Sequence, residues 1–392
     1  MTRSVIVDAI RTPIGKLSGS LAPMRASDLG GVAIAALLAR TGIDPASVDA
    51  VLMGQVLQAG QGQITARQAA VAGGVPMSVP ATTINKVCLS GLQTIYLADL
   101  MVRAGEAEIV IAGGMESMTN APYVLPGARA GYRIGDHAVV DSMMHDGLTC
   151  AFDHCAMGLA TERHNSQRIS RARQDDFAAR SHALASAAVA AGYFDEEIVA
   201  VQVAPRRGDP VRVAADEGIR PDTTTESLAR LRGAFEPDGT ITAGNASQIS
   251  DGAAAVIVMS FDRCRELGLE PLGEILGYGQ VAGPDTSLLL QPAHAINLAA
   301  QRAGVSVDSL DVIEINEAFA AVALASMDAL GVADERVNPR GGAIALGHPI
   351  GMSGTRLVLS ALNELRRRGG GTGAVALCGG GGQGDGAILR SL

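Results

Sequence analysis

Short unbroken apolar runs recur along the chain, each bounded by charged or glycine-rich turns: Ser4-Val5-Ile6-Val7-Asp8, Ile109-Val110-Ile111-Ala112 and Val256-Ile257-Val258-Met259. Such runs predict strands covered on both faces. Between them lie stretches of helical period, such as Leu92, Ile95, Tyr96 and Leu100, which follow an extended run from Ala81 to Val87.

The pattern repeats. Arg40-Thr41-Gly42-Ile43 leads to Ser47-Val48-Asp49-Ala50-Val51, and 262 positions later Arg302-Ala303-Gly304-Val305 leads to Ser309-Leu310-Asp311-Val312-Ile313. Both read as a helix, a glycine stop and a strand. Ser90-Gly91 and Ser353-Gly354 open helices at an offset of 263. Ile109 to Gly114 then faces Ala374 to Gly380, which makes Ala112 the counterpart of Cys378. Ser250-Asp251-Gly252 matches Gly384-Asp385-Gly386, where the offset drops to 134. That drop places an insertion over residues 119–248 of the first half.

The expected class is α/β: a duplicated, layered α/β/α fold with two sheets and two pseudo-symmetric halves. The first half comprises 1–118 plus 249–270 and the second 271–392. Equivalent turns of the two halves should face each other, bringing Cys88 near His348 and Cys378.

Composition sharpens this picture. At 392 residues, 47% of them hydrophobic but only 3% aromatic, the core must be built from close-packed Ala, Val, Leu and Ile. The 48 glycines, without low-complexity runs, imply tight loops. A net charge of −9 argues against general nucleic-acid or membrane-surface binding. Among 31 basic residues only Lys16 and Lys86 are lysines, so a phosphate site would be built from guanidinium groups. The insertion carries Arg206-Arg207, Arg220 and Arg230-Leu231-Arg232, which could cover a site and meet a phosphorylated ligand or simply be solvated. No stretch reaches the roughly 18 apolar residues of a membrane span, and five cysteines without an export signal point to reduced thiols in the cytoplasm.

Two of those thiols stand beside glycine-rich turns. Cys88 precedes a helical pattern, so the helix N-terminus is expected to lower its pKa and favour the thiolate. Cys378 ends an apolar strand and begins a run of four glycines, whose N–H groups could form an oxyanion hole. His348 lies in Gly347-His348-Pro349, and Asn316 in Asn316-Glu317-Ala318-Phe319. Two thiols, an imidazole and an amide suit carbon–carbon bond chemistry on thioesters. The formal dinucleotide fingerprint Gly379-x-Gly381-x-x-Gly384 fails because too little chain follows it. Cys150, Cys155 and Cys264 lack metal-ligand spacing and read as structural.

These motifs, together with Ala112-Gly113-Gly114-Met115-Glu116-Ser117-Met118 and Gly244-Asn245-Ala246-Ser247, resemble the thiolase family over essentially the whole length. The resemblance implies that Cys88 carries the acyl group and that Cys378 moves the α-proton. It implies that His348 activates Cys88 and, with a water held by Asn316, stabilises the enolate oxygen. The N–H groups of Cys88 and Gly380 would form the second oxyanion hole. Coenzyme A and acetyl-CoA are implied as substrates, with Ser247 at the pantetheine and Arg220 at the nucleotide end. Further binding positions implied are Leu148, Met157, Phe235, Ala243, Ala318 and Phe319. No resident cofactor or metal is expected, nor a nucleic-acid or membrane partner, and a homotetramer through residues 125–141 is.

The activity implied is acetyl-CoA acetyltransferase, with a 3-ketoacyl-CoA thiolase of broader chain length or a non-catalytic acyl-CoA-binding protein as alternatives. A β-ketoacyl synthase or hydroxymethylglutaryl-CoA synthase would use one cysteine, and the thiol before the glycine run argues against both. Two departures bear on chain length: Ala156-Met157 stands where short-chain members have His-Met, and Leu288-Leu289-Leu290-Gln291-Pro292 where many have Met-Gly-x-Gly-Pro.

Overall fold

The structure, a computed structural model, describes residues 2–166, 168–204 and 208–392. Arg206-Arg207 therefore lie outside the described residues. The central strands are β1 (Ser4–Arg11), β2 (Gly15–Lys16), β3 (Ala50–Gly54), β4 (Ala81–Ile84), β5 (Ile109–Ser117), β6 (Ser250–Ser260), β7 (Gly273–Ala282), β8 (Val312–Ile315), β9 (Thr372–Gly379) and β10 (Gln383–Ser391). Every residue of β5 and β6 is buried, as their unbroken apolar runs require.

Hydrogen bonding links the strands in the order β8-β9-β10-β7-β1-β6-β5-β3-β4, with β2 paired to β6. The two expected sheets are thus joined into one path, but only through the single pair Ile6 and Gly273. Each side of that junction repeats the other. β3 runs parallel to β5, β5 antiparallel to β6, and β6 antiparallel to β1. In the same way β8 runs parallel to β9, β9 antiparallel to β10, and β10 antiparallel to β7.

Even the irregularity is copied. The register of β1 on β6 shifts between Ile6 and Asp8, and that of β7 on β10 between Ile275 and Gly277. This register corrects two sequence matches. Ser4 pairs Ser260 and Gly273 pairs Ser391, so the late strands correspond at an offset of 131, not 134. Ala50 pairs Val110 and Val312 pairs Gly373, which makes Met115, not Ala112, the counterpart of Cys378. In Gly- and Ala-rich strands a slide of three residues changes little in the side-chain pattern, so local similarity cannot fix the register.

Five layers result. The helices α1 (Ala26–Thr41) and α2 (Thr65–Ala72) cover one face of the first half. A middle layer of α3 (Ser90–Ala104) and α8 (Ser353–Arg367) packs between the halves, and α6 (Gln291–Ala303) with α7 (Ala320–Leu330) covers the far face. The middle helices cross at glycines. A Cβ on Gly354 would lie 2.4 Å from Leu92 N, and one on Gly91 2.7 Å from Thr355 Oγ1. The crossing puts both helix N-termini, and the loops before them, at one place.

The stretch 119–248 contributes a ribbon (Tyr123–Val124 with Val140–Asp141), the helices α4 (Met157–Asn165) and α5 (Arg171–Ala190), and a hairpin (Val201–Val203 with Val211–Val213). Arg11, fully buried on β1, fastens it by donating to Glu197 at 2.8 Å and Asp216 at 2.7 Å.

Candidate active site

The loop before α3 is held in an unfavourable shape. Val87 has φ +51°, left-handed backbone that costs a β-branched residue about 1–3 kcal/mol. Short side chains enforce it: Val87 N donates to Asn85 Oδ1 at 3.0 Å, Lys86 N to Ser90 Oγ at 2.8 Å, and Ser90 Oγ to Val87 O at 2.6 Å. Lys86 Nζ reaches across the halves to both oxygens of Asp385, at 2.7 and 2.9 Å. Asp385 lies on β10 opposite Leu377, one residue before Cys378. One ion pair therefore ties the Cys88 elbow to the hairpin that carries the other thiol.

The expected lowering of the Cys88 pKa is overturned. Burial pushes the thiol up to about 12, with Glu116 adding to the rise and its own backbone N–H only partly offsetting it. The helix begins at Ser90, past the thiol, and apolar neighbours outweigh its dipole. Cys378, 1% exposed, is also pushed up, first by burial and then by Cys88. That effect of Cys88 on Cys378 marks the two sulfurs as neighbours.

After Cys378 the chain turns through Gly381 (φ +77°) and Gly382 (φ +69°). A Cβ on Gly380 would stand 3.6 Å from Val87 Cγ1 and 3.9 Å from Met157 Sδ, so Gly380 adjoins the Cys88 elbow. Among the described residues neither Cys88 N nor Gly380 N donates a hydrogen bond. Two free N–H groups beside one thiol can receive an oxyanion.

His348 is 5% exposed, and burial, aided by Arg356, pulls its pKa down to about 3, so the imidazole is neutral. Ser353 Oγ donates to Pro349 O at 3.0 Å and lies 2.6 Å from His348 Nδ1. Its single proton being so placed, Nδ1–H donates to Ser353, and Nε2 keeps its lone pair. Asn316 Nδ2 lies 3.4 Å from that Nε2, while Asn316 Oδ1 is buried without a partner. A buried orphan oxygen beside an imidazole is a place for a water.

A cavity of about 470 Å³ leads to this point, and Leu148, Met157, Phe235, Ala243, Ser247, Phe319 and His348 line it. Phe235 meets Phe319 edge-on at 6.2 Å, and a Cβ on Gly158 would fall 2.0 Å from the Phe235 ring, so that wall requires glycine. Ala318 sits behind the lining and accepts from Ser247 N at 3.0 Å. Arg220 also lies off the lining, its N–H donating to His182 Nδ1 at 3.1 Å. Cys150 and Cys264 are buried free thiols, and Cys155 is a half-buried one. Among the described residues no cluster of His, Cys, Asp or Glu could hold a metal, and no helix is long and apolar enough to cross a membrane.

Sequence reasoning missed Ser353, Glu116 and the Lys86–Asp385 pair. One signal existed: both lysines of this arginine-rich chain belong to the site, Lys16 on the cavity wall and Lys86 beside Cys88.

Layers in duplicate, with two thiols and an imidazole at the crossing of the middle helices, define an acyl-transfer enzyme fold. The family model for the thiolase N-terminal domain matches residues 4–262 and that for the C-terminal domain residues 269–391. The chain belongs to the thiolase family. It is 56% identical over 392 residues to the probable acetyl-CoA acetyltransferase of Mycobacterium tuberculosis, covering all of both chains. It is 50% identical over 386 residues to the acetyl-CoA acetyltransferase of Cupriavidus necator, covering 98% of each. The crystal structure of the Bacillus anthracis acetyl-CoA acetyltransferase superposes with a TM-score of 0.97 at 39% identity, covering 100% of this chain and 99% of that one.

Proposed function

We propose that the protein is an acetyl-CoA acetyltransferase that condenses two acetyl-CoA to acetoacetyl-CoA and coenzyme A, or runs the reverse thiolysis. The observation that carries the reading is a half-buried thiol, Cys88, beside a buried one, Cys378, with one neutral imidazole.

Cys88 sulfur attacks the thioester carbonyl while its proton passes to His348 Nε2. A thiol near 12 and an imidazole near 3 do not form a stable ion pair in the empty site, so proton transfer accompanies carbon–sulfur bond formation. The oxyanion is received by the N–H groups of Cys88 and Gly380. The imidazole returns the proton to the departing coenzyme A sulfur, which leaves an acetyl group on Cys88. Cys378 passes its own proton to His348 Nε2 as it takes the α-proton from a second acetyl-CoA, and the enolate oxygen is held by the Nε2–H so formed and by a water on Asn316. The carbanion attacks the acetyl carbonyl, the Cys88–acyl bond breaks as acetoacetyl-CoA forms, and His348 Nε2 gives its proton to the departing Cys88 sulfur, so that Cys378, holding the α-proton, and Cys88 both end as thiols.

Leu148, Met157, Phe235, Ala243, Ser247 and Phe319 would sheathe the pantetheine arm, with Ala318 supporting Ser247. Arg220 would serve the nucleotide end. Exposed Leu125, Ile134 and Val139 on the 125–141 segment support a homotetramer, which light scattering at a monomer mass would rule out.

Ala156 on the cavity wall favours a second reading, a 3-ketoacyl-CoA thiolase of broader range, because it leaves space near Met157. Thiolysis rates across ketoacyl-CoA lengths separate the two. Cys88→Ser is expected to lower kcat by about 10⁴-fold or more and to abolish covalent acetylation; near-native turnover refutes the mechanism.

A further inference from the structure

Glu116, with no exposed surface, is the last residue but one of β5 and accepts three backbone hydrogen bonds: from Val56 N at 3.0 Å, Leu57 N at 3.1 Å and Gly351 N at 3.0 Å. Among the described residues no cation pairs with it. The duplication gives each partner a counterpart. Gly351 corresponds to Cys88, at the offset that relates Ser353 to Ser90. Val56 and Leu57 correspond to Ala318 and Phe319, and Glu116 itself to Gly379, by the register of β3 on β5 and β8 on β9.

In the second half a side chain at Gly379 is excluded, because its Cβ would lie 2.6 Å from Leu89 Cγ. The N–H of Cys88 is left free there for an oxyanion. In the first half the same kind of place is filled by a carboxylate. The loop it grips is tightly seated: Cβ atoms on Gly54, Gly91 and Gly114 would lie 2.9, 2.9 and 2.1 Å from Gly351 O.

We propose that Glu116 is a positioning residue: its carboxylate is a built-in anion occupying the first half's copy of the oxyanion hole, and through Gly351 N–H it holds the His348 loop against Cys88. The inference rests on the acyl-transfer reading above. A carboxylate grips three N–H groups better than a carboxylic acid does, so the ionised form is the working one. Burial raises Glu116 to about 7 against the pull of those N–H groups, with Asp251 on β6 adding to the rise. The other titratable neighbours are Cys88, whose thiol Glu116 raises, and His348, three residues before Gly351 on the gripped loop. Turnover then falls as pH drops through about 7.

The test compares wild type, Glu116→Gln and Glu116→Asp in thiolysis of acetoacetyl-CoA from about pH 5.5 to 9, with circular dichroism to establish folding. Glu116→Gln is expected to lose about 100-fold in kcat with KM within about twofold, and to lack the acid limb. Glu116→Asp, which keeps the charge but draws it back by a methylene, should lower kcat and keep the limb; it decides alone if the Gln variant does not fold. A variant matching an active wild type in kcat overturns the proposal, as does an active wild type without an acid limb. A wild type with no turnover refutes the acyl-transfer reading instead, a distinct result.

Discussion

Cys88 shows how far a residue's neighbours decide its chemistry. Its place before a helix suggests an activated thiolate, but the sulfur packs against Val56, Leu57, Met118 and Ile350, and burial holds it up to about 12. Charge is created only while substrate receives it. Alkylation of Cys88 by iodoacetamide in the empty enzyme should therefore keep rising, roughly tenfold per pH unit, between about pH 7 and 10. A rate that levels off near neutrality would show a thiolate already present and sink this account. Cys88, Cys378 and His348 stand out in the sequence as candidates because each lies beside a glycine- or proline-marked turn, whereas Asn316 has neither nearby and stands out only by its amide. The pKa of Cys88 was not legible there, since it depends on residues from several separate segments.

At the scale of elements, the Cys88 elbow and the β9–β10 hairpin are kept together by Lys86 and Asp385. Asp385 has no exposed surface and also accepts from Tyr278 OH at 3.0 Å, whose ring stacks on Tyr96 at 4.0 Å. Removing one partner of a buried pair strands the other charge, which costs about 3–5 kcal/mol. Lys86 is 21% exposed, so water screens part of that loss and about 2–3 kcal/mol is expected for Lys86→Met. Adding Asp385→Asn removes the stranded charge, and the double variant should recover more than half of the loss in urea unfolding. Additive losses would mean that the two residues do not act as a pair. Sequence similarity had matched Asp385 to Asp251. The register instead aligns it with Ala254, so the ion pair between the halves has no copy in the duplication and no repeat could have announced it.

For the whole molecule, the duplication was legible because helix, glycine stop and strand recur at near-constant spacing; Gly42 and Gly304, at φ +69° and +68°, end equivalent helices. The single-pair junction at Ile6 and Gly273 was not, because it depends on how the halves pack. That packing buries acids, and their titration sets how stability follows pH. Burial raises Glu116 to about 7 and Glu314 to about 8, and Asp99, Asp251, Glu317 and Asp385 are raised as well. Each such acid binds more protons folded than unfolded above its ordinary range, so each makes stability fall as pH rises through that window. His348, pulled down to about 3, and His182, pulled down to about 4, act oppositely, but only up to the usual imidazole range near 6.5. Below about pH 6.5 the two groups oppose each other; above it the raised acids act alone, and the raised thiols of Cys88 and Cys378 add the same sign on the alkaline side. The melting temperature should thus decline from about pH 6.5 to 9 in differential scanning fluorimetry. Turnover should climb over the lower part of that range as Glu116 ionises, so the pH of greatest stability lies below that of greatest activity. A melting temperature that rises together with turnover from about pH 6.5 to 8 would mean that these buried acids are not held protonated by the fold.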